Sequence, residues 1–200
     1  MYFCMLKNEF VYRELLFQAF ENSVREFTQK ALSVELGLSL SHVNHALKPL
    51  KRMGAIKIRP QGLVLVNPKK VLLYWCSVRN VQKDIVYSTR VDASVREIEK
   101  SMPQGTVFTA YSGFKFAFNE TPSDYSVVYV YAGNIAEIKK RFPEKSEPFN
   151  LIVLQADSLL KKYGKKISLA QLFVDLWSLP EWFAKDYLKA MEEKLYGLLE

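Results

Sequence analysis

Residues 28–54 read Thr-Gln-Lys-Ala-Leu-Ser-Val-Glu-Leu-Gly-Leu-Ser-Leu-Ser-His-Val-Asn-His-Ala-Leu-Lys-Pro-Leu-Lys-Arg-Met-Gly, and their spacing decides the fold of the first half of the chain. Thr28 supplies a side-chain oxygen suited to cap a helix over Gln29–Leu36. Gly37 follows, where a left-handed residue ends a helix without steric penalty. Leu38 plugs the turn, and Ser39 is placed to cap a third helix running to about Met53. Apolar or small residues fall at Leu32, Ser33, Leu36, Leu38, Val43 and Ala46. A helix-turn-helix needs that arrangement: small where the helices cross, Gly at the tight turn, apolar where the last helix packs back.

Working outward, Glu9–Glu21 reads as a first amphipathic helix, with Phe10, Leu15, Leu16, Ala19 and Phe20 apolar and Arg13, Glu14, Gln18 and Glu21 between them. After Gly54, Ala55–Arg59 and Leu63–Val66 alternate as two short strands around Pro60-Gln61-Gly62. Asn67-Pro68 then opens a helix to about Arg79. A helix-turn-helix followed by a small hairpin is the winged helix-turn-helix order. Pro49 stands inside the third helix, where it removes a hydrogen bond and predicts a kink or a break near Ala46–Pro49.

Charge supports a nucleic-acid reading of this half. Residues 1–80 hold 12 Lys/Arg and 5 Asp/Glu, whereas residues 81–200 hold 16 of each, so the whole net charge of +7 lies in the first 80 residues. No carboxylate occurs between Glu35 and Asp84. That gap contains Lys48, Lys51, Arg52, Lys57, Arg59, Lys69, Lys70, Arg79 and Lys83. A basic stretch that excludes acids suits phosphate. With Leu40, Val43, Ala46, Leu47 and Leu50 expected inward, the outward face of the third helix carries Ser41, His42, Asn44, His45, Lys48, Lys51 and Arg52. Ser41, His42, Asn44 and His45, near its N-terminus, are short hydrogen-bonding groups suited to base edges, and Ser39, the cap beside them, is counted with the DNA-binding residues. Lys48, Lys51 and Arg52 suit phosphates, which fix register. Arg59 and Gln61 mark the tip of the hairpin, where an Arg enters a minor groove or clamps phosphate.

Other chemistries have little to stand on. His42 and His45 are the only histidines, and no Cys, Asp or Glu lies near them in sequence to complete a metal site. Cys4 and Cys76 are far apart and read as buried thiols in a reducing compartment. The apolar start Met1–Leu6 is interrupted at Lys7 and is too short for a signal or a membrane span, so the expectation is a cytoplasmic protein with no membrane partner. No cofactor is implied, and no heptad seam specifies an oligomeric state.

The second half reads as mixed α+β. Strands are expected over Ile85–Val91, Thr106–Tyr111, Val127–Tyr131 and Asn150–Leu154, and helices over Ala93–Met102 and Asn134–Phe142. Gly113–Phe118 reads as a short helical or irregular apolar piece. Two closing helices, Leu169–Leu179 and Glu181 to near Leu198, are separated by Pro180 as a helix start. The expected architecture is a winged helix-turn-helix module over residues 1–80, then an α+β domain over 81–200 with helices on one side of a mixed sheet. No histidine follows His45, so a Ser-His or Cys-His nucleophile is excluded there. Tyr111-Ser112-Gly113 followed by the lone Asp124 lacks the paired aspartates of a two-metal nucleotidyltransferase. Asp175, on an apolar helix, reads as a carboxylate facing solvent or a lysine.

The segment Ser168-Leu169-Ala170-Gln171-Leu172-Phe173-Val174-Asp175-Leu176-Trp177-Ser178-Leu179-Pro180, with the helix over Ala184–Met191, resembles the C-terminal part of AbiEi-type proteins. These are winged-helix regulators that act as antitoxins in type IV toxin–antitoxin systems, and their order of domains is similar to that read here. The resemblance implies promoter binding and autoregulation through the first domain, antitoxicity through the second, and a nucleotidyltransferase-type toxin as functional partner. It supplies no catalytic residues. The sequence thus leads to a DNA-binding regulator that is not an enzyme. A nucleic-acid-processing enzyme, a divergent nucleotidyltransferase or nuclease targeted by its winged helix, is one alternative, and a winged helix that contacts RNA or protein is another.

Overall fold

The computed structural model describes residues 5–199; Cys4 and most of the apolar start therefore lie outside the described residues. The chain is mixed α+β and divides into two compact units. One is built from residues 5–79 with Ser168–Val174 and the chain from Met191 onward. The other comprises Asn80–Ile167 and Asp175–Ala190. The expected division into 1–80 and 81–200 differs from this one after residue 167, because the two closing helices each contribute residues to both units.

The first unit holds helix α1 (Lys7–Glu21), strand β1 (Glu26–Phe27), helices α2 (Gln29–Leu36) and α3 (Leu40–Arg52), strands β2 (Ile56–Arg59) and β3 (Gly62–Leu65), and helix α4 (Pro68–Val78). Local chemistry sets each boundary. Thr28 Oγ1 accepts the Ala31 amide at 3.0 Å, Ser39 Oγ the His42 amide at 3.2 Å, and Asn67 Oδ1 the Lys70 amide at 2.9 Å. Gly37 ends α2 at φ 61°, its neighbour Leu38 donates to the Ser33 carbonyl, and the Ser33 hydroxyl donates to the Leu38 carbonyl at 2.6 Å. A side chain at that φ would cost about 1 kcal/mol or more. Val43, Ala46, Leu47 and Leu50 are buried as expected, but Leu40 is 52 % exposed. It is the first residue of α3, before the turn's buried stripe begins.

Pro49 does not break α3, which runs unbroken from Leu40 to Arg52. The carbonyl deprived of its donor is that of His45, an exposed residue where water can replace the lost bond. Strand β1, absent from the sequence reading, pairs with β3 (Glu26 opposite Val64), giving an antiparallel sheet in the order β1-β3-β2. The expected alternation holds in β3, where Leu63 and Leu65 are buried, but not in β2, where Ile56 is buried and Ile58 is exposed along with Lys57 and Arg59. Gly62 is required by close approach: a Cβ there would sit 2.3 Å from the Phe27 carbonyl oxygen.

Helix α1 is not amphipathic. Every residue from Glu9 to Leu16 is buried, including Arg13 and Glu14. These charges have partners that periodicity does not show: Arg13 Nη1 donates to Gln171 Oε1 at 2.9 Å, and Glu9 Oε2 accepts from Trp75 Nε1 at 2.8 Å. Arg79 lies 3.6 Å from the same oxygen, with both side chains almost wholly buried.

The second unit carries strands β4 (Ile85–Thr89), β5 (Val107–Thr109), β6 (Val128–Ala132) and β7 (Leu151–Gln155) in the order β4-β7-β6-β5. The β6–β7 pair is parallel and the others antiparallel. Helices α5 (Val95–Lys100), α6 (Ala110–Phe118) and α7 (Ile135–Arg141) follow the strands, and α8 (Leu169–Trp177) and α9 (Ala184–Leu195) close the chain. The expected strand over Thr106–Tyr111 is only three residues long, since the chain turns into α6 at Ala110 (φ 51°). The second closing helix starts at Ala184, four residues beyond Pro180.

Helices do not lie on one side only. Ile98 of α5 and Ile138 of α7 form a core with Val128, Val130, Ala132, Leu151 and Val153. The alternate residues Tyr129 and Tyr131 are also buried, and their hydroxyls meet Glu181 and Asp175 on the opposite face. A strand buried at all five positions must be covered twice, which is the behaviour of a central strand with a parallel partner.

Candidate nucleic-acid interface

Packing in the first unit fixes which side of α3 faces out. Its apolar residues Val43, Ala46, Leu47 and Leu50 are buried, and this forces Ser41, His42, Asn44, His45, Lys48, Lys51 and Arg52 to the exposed side, where all seven are found. Thirteen residues make a rod of about 20 Å, a length that fits a major groove. Ser39 is exposed and caps the helix. Its Oγ lies 2.8 Å from His42 Nδ1 while already accepting the His42 amide.

The basic groups gather at the other end. Lys70, at the start of α4, reaches across to donate its Nζ to the Met53 carbonyl at 2.9 Å. Met53 is the C-cap residue of α3, beside Lys51 and Arg52, and the helix dipole favours cations at this end. Nothing local in the sequence singles out Lys70 for this position. Lys48, Lys57 and Lys69 are exposed as well.

Two members of the acid-free span depart from the expectation of one basic face. Arg79 is 7 % exposed and paired with Glu9, so it belongs to the core. Lys83 falls in the other unit. The hairpin tip also differs. Arg59 and Gln61 are exposed, yet Arg59 Nη1 sits 3.2 Å from Glu26 Oε1. The span lacks acids only along the chain; β1 brings Glu26 to its edge through the sheet. Behind this pair a cavity of about 500 Å³ is walled partly by Glu14 and Glu35, so the hairpin is electrostatically mixed while the face of α3 is not.

The second unit has its own polar cluster. Asp175, expected at the surface, is 1 % exposed and accepts from Thr109 Oγ1 at 2.7 Å and from the Tyr131 hydroxyl at 2.9 Å. Glu181 accepts from the Tyr129 hydroxyl at 2.7 Å and the Tyr111 hydroxyl at 3.0 Å. Burial first, and then the Glu181 carboxylate, push both phenols far up, so they stay neutral donors. Carboxylates supplied with hydroxyl donors in this way are stabilised in place, the pattern of a satisfied buried network. Among the described residues no group of three or more His, Cys, Asp or Glu could hold a metal ion. No helix among them is long and apolar enough to cross a membrane.

Compared with known proteins, the chain matches no family model, no curated protein and no solved structure.

Proposed function

We propose that the chain is a sequence-specific regulator that binds double-stranded DNA through residues 5–79, folded as a winged helix-turn-helix. One observation carries this reading: beyond the exposed Leu40 at its start, the outward face of α3 from Ser41 to Arg52 is polar or cationic and free of carboxylates, while Val43, Ala46, Leu47 and Leu50 are buried. Ser41, His42, Asn44 and His45 read base edges, and Lys48, Lys51 and Arg52, joined by Lys70, hold phosphates. The β2–β3 hairpin is the wing. The resemblance of residues 168–180 to AbiEi-type proteins extends the proposal to an autoregulating antitoxin opposed to a nucleotidyltransferase-type toxin. A toxin gene beside this one supports that extension, and a failure to rescue growth from that toxin overturns it.

The test of DNA binding is a salt titration by fluorescence anisotropy on duplexes selected from random sequence. Replacing Lys48, Lys51 and Arg52 together by Ala weakens all duplexes alike and flattens the log–log salt slope by up to about 2.7, about 0.9 for each phosphate released. Asn44→Ala instead relaxes preference at one or two base pairs, by about 1–3 kcal/mol each. Full affinity in the triple variant refutes the proposal. Asp175 and Glu181, each held by two hydroxyls, support keeping catalysis out of this reading.

A further inference from the structure

The second unit contains a cavity unrelated to the face of α3, and its chemistry is specific. It measures about 260 Å³ and lies between the edge strand β5, helix α6 and the segment at 165–167. Phe108 and Phe116 form its aromatic wall, with ring centroids 4.8 Å apart and planes inclined at 58°. Gly113 and the buried Ile167 complete the apolar lining. Phe116 is 41 % exposed, a large apolar surface left open to solvent at this opening. Lys165 and Lys166 stand over the same cavity, both exposed. Neither makes a hydrogen bond or ion pair among the described residues, although this unit is rich in carboxylates that pair elsewhere, such as Glu99 with Lys115 at 2.6 Å and Asp92 with Lys145 at 2.7 Å.

We infer that this cavity binds a small anion carrying one flat aromatic ring system, its ring against Phe116 and Phe108 and its charged group between Lys165 and Lys166. Each part of the lining requires one part of that ligand. An aromatic wall prefers a flat ring, stacked or edge-on, and gains by being covered. Two adjacent ammonium groups without carboxylates favour an anion of carboxylate or phosphate type. The volume is just below the range of about 300–1,000 Å³ that holds drug-sized molecules, so it suits one ring system with one anionic group. A nucleoside monophosphate and an aromatic carboxylate share this chemistry. The inference is independent of the DNA-binding proposal, because every residue it uses belongs to the second unit.

Isothermal titration of the full chain with adenosine 5′-monophosphate, 2-naphthoate, adenosine and inorganic phosphate tests it. The expected result is saturable binding of at least one of the two aromatic anions, tenfold or more tighter than adenosine or inorganic phosphate. Which anion binds identifies the source. Lys165→Gln with Lys166→Gln should weaken that anion about five- to tenfold and leave adenosine unchanged. Phe116→Leu, at an exposed position that keeps the fold, should weaken the anion and adenosine together. Saturation by neither anion overturns the inference. So does binding that survives both variants, or adenosine binding as tightly as its monophosphate, which would leave an apolar hollow with no role for the lysines.

Discussion

Under the DNA-binding proposal, the pair between Arg59 and Glu26 makes an unusual demand: removing an acid should raise duplex affinity. At 3.2 Å in a water-like dielectric the attraction is about 1.3 kcal/mol, and side-chain entropy and salt bring an exposed pair to about 0–1 kcal/mol. Both side chains are more than half exposed, so the lower scale applies. A guanidinium held by Glu26 must give up that attraction before it clamps a phosphate. Glu26→Gln removes the competitor while keeping the shape, and the expected gain in duplex affinity is about two- to fivefold near 0.1 M salt.

Fold stability should change by less than about 0.5 kcal/mol, because the position is on the surface. The assay is the same anisotropy titration, run as a cycle with Arg59→Gln. In the Arg59→Gln background the Glu26→Gln gain should vanish. A gain that persists there would mean that Glu26 merely repels phosphate across a screening length of about 8 Å at physiological salt, and the pairing argument would fall. Unchanged or weakened affinity in the single variant would refute it outright.

Three further outcomes concern the scaffold. Glu9→Gln removes the carboxylate that faces the buried Arg79 guanidinium while leaving an acceptor for Trp75, and should cost about 3–5 kcal/mol in urea denaturation. Ala110→Gly relieves a left-handed alanine at the start of α6, worth about 1–2 kcal/mol, but removes a fully buried methyl and loosens the unfolded chain by similar amounts, so the same assay should find a change within about 1 kcal/mol. The Ser94 hydroxyl, joined by its amide, holds the Glu97 carboxyl below the usual carboxylate range. The sign follows: this contribution to α5 is fully present above the ordinary Glu range and is lost as pH falls through the lowered folded value. In Ser94→Ala, an NMR titration should find the Glu97 midpoint moved upward but still below the ordinary carboxylate value, because the residue-94 amide continues to donate to it.

What the sequence could and could not disclose follows from the range of the interactions involved. Thr28, Ser39 and Asn67 cap helices within three residues of themselves, and Gly37 turns the chain by its own φ, so these elements are legible residue by residue. The polar face of α3 is legible for a related reason: a period of 3.6 sorts its residues once the apolar ones are assigned inward. Strand β1 is different. Two residues carry no periodicity, and Glu26 and Phe27 become a strand only because β3 lies beside them. The same holds for buried charge. Arg79 counts as a basic residue along the chain and as a core residue in space, and Asp175 counts as a surface acid until Thr109 and Tyr131 turn their hydroxyls to it. Such residues leave the surface only when distant partners offset their desolvation. A basic span read from sequence is therefore an upper bound on the cations available to a ligand. Here Arg79 has been withdrawn into the core and Arg59 is paired with an acid, so the cations on which the proposed DNA binding can draw lie mainly on α3 and on the Lys70 beside its end.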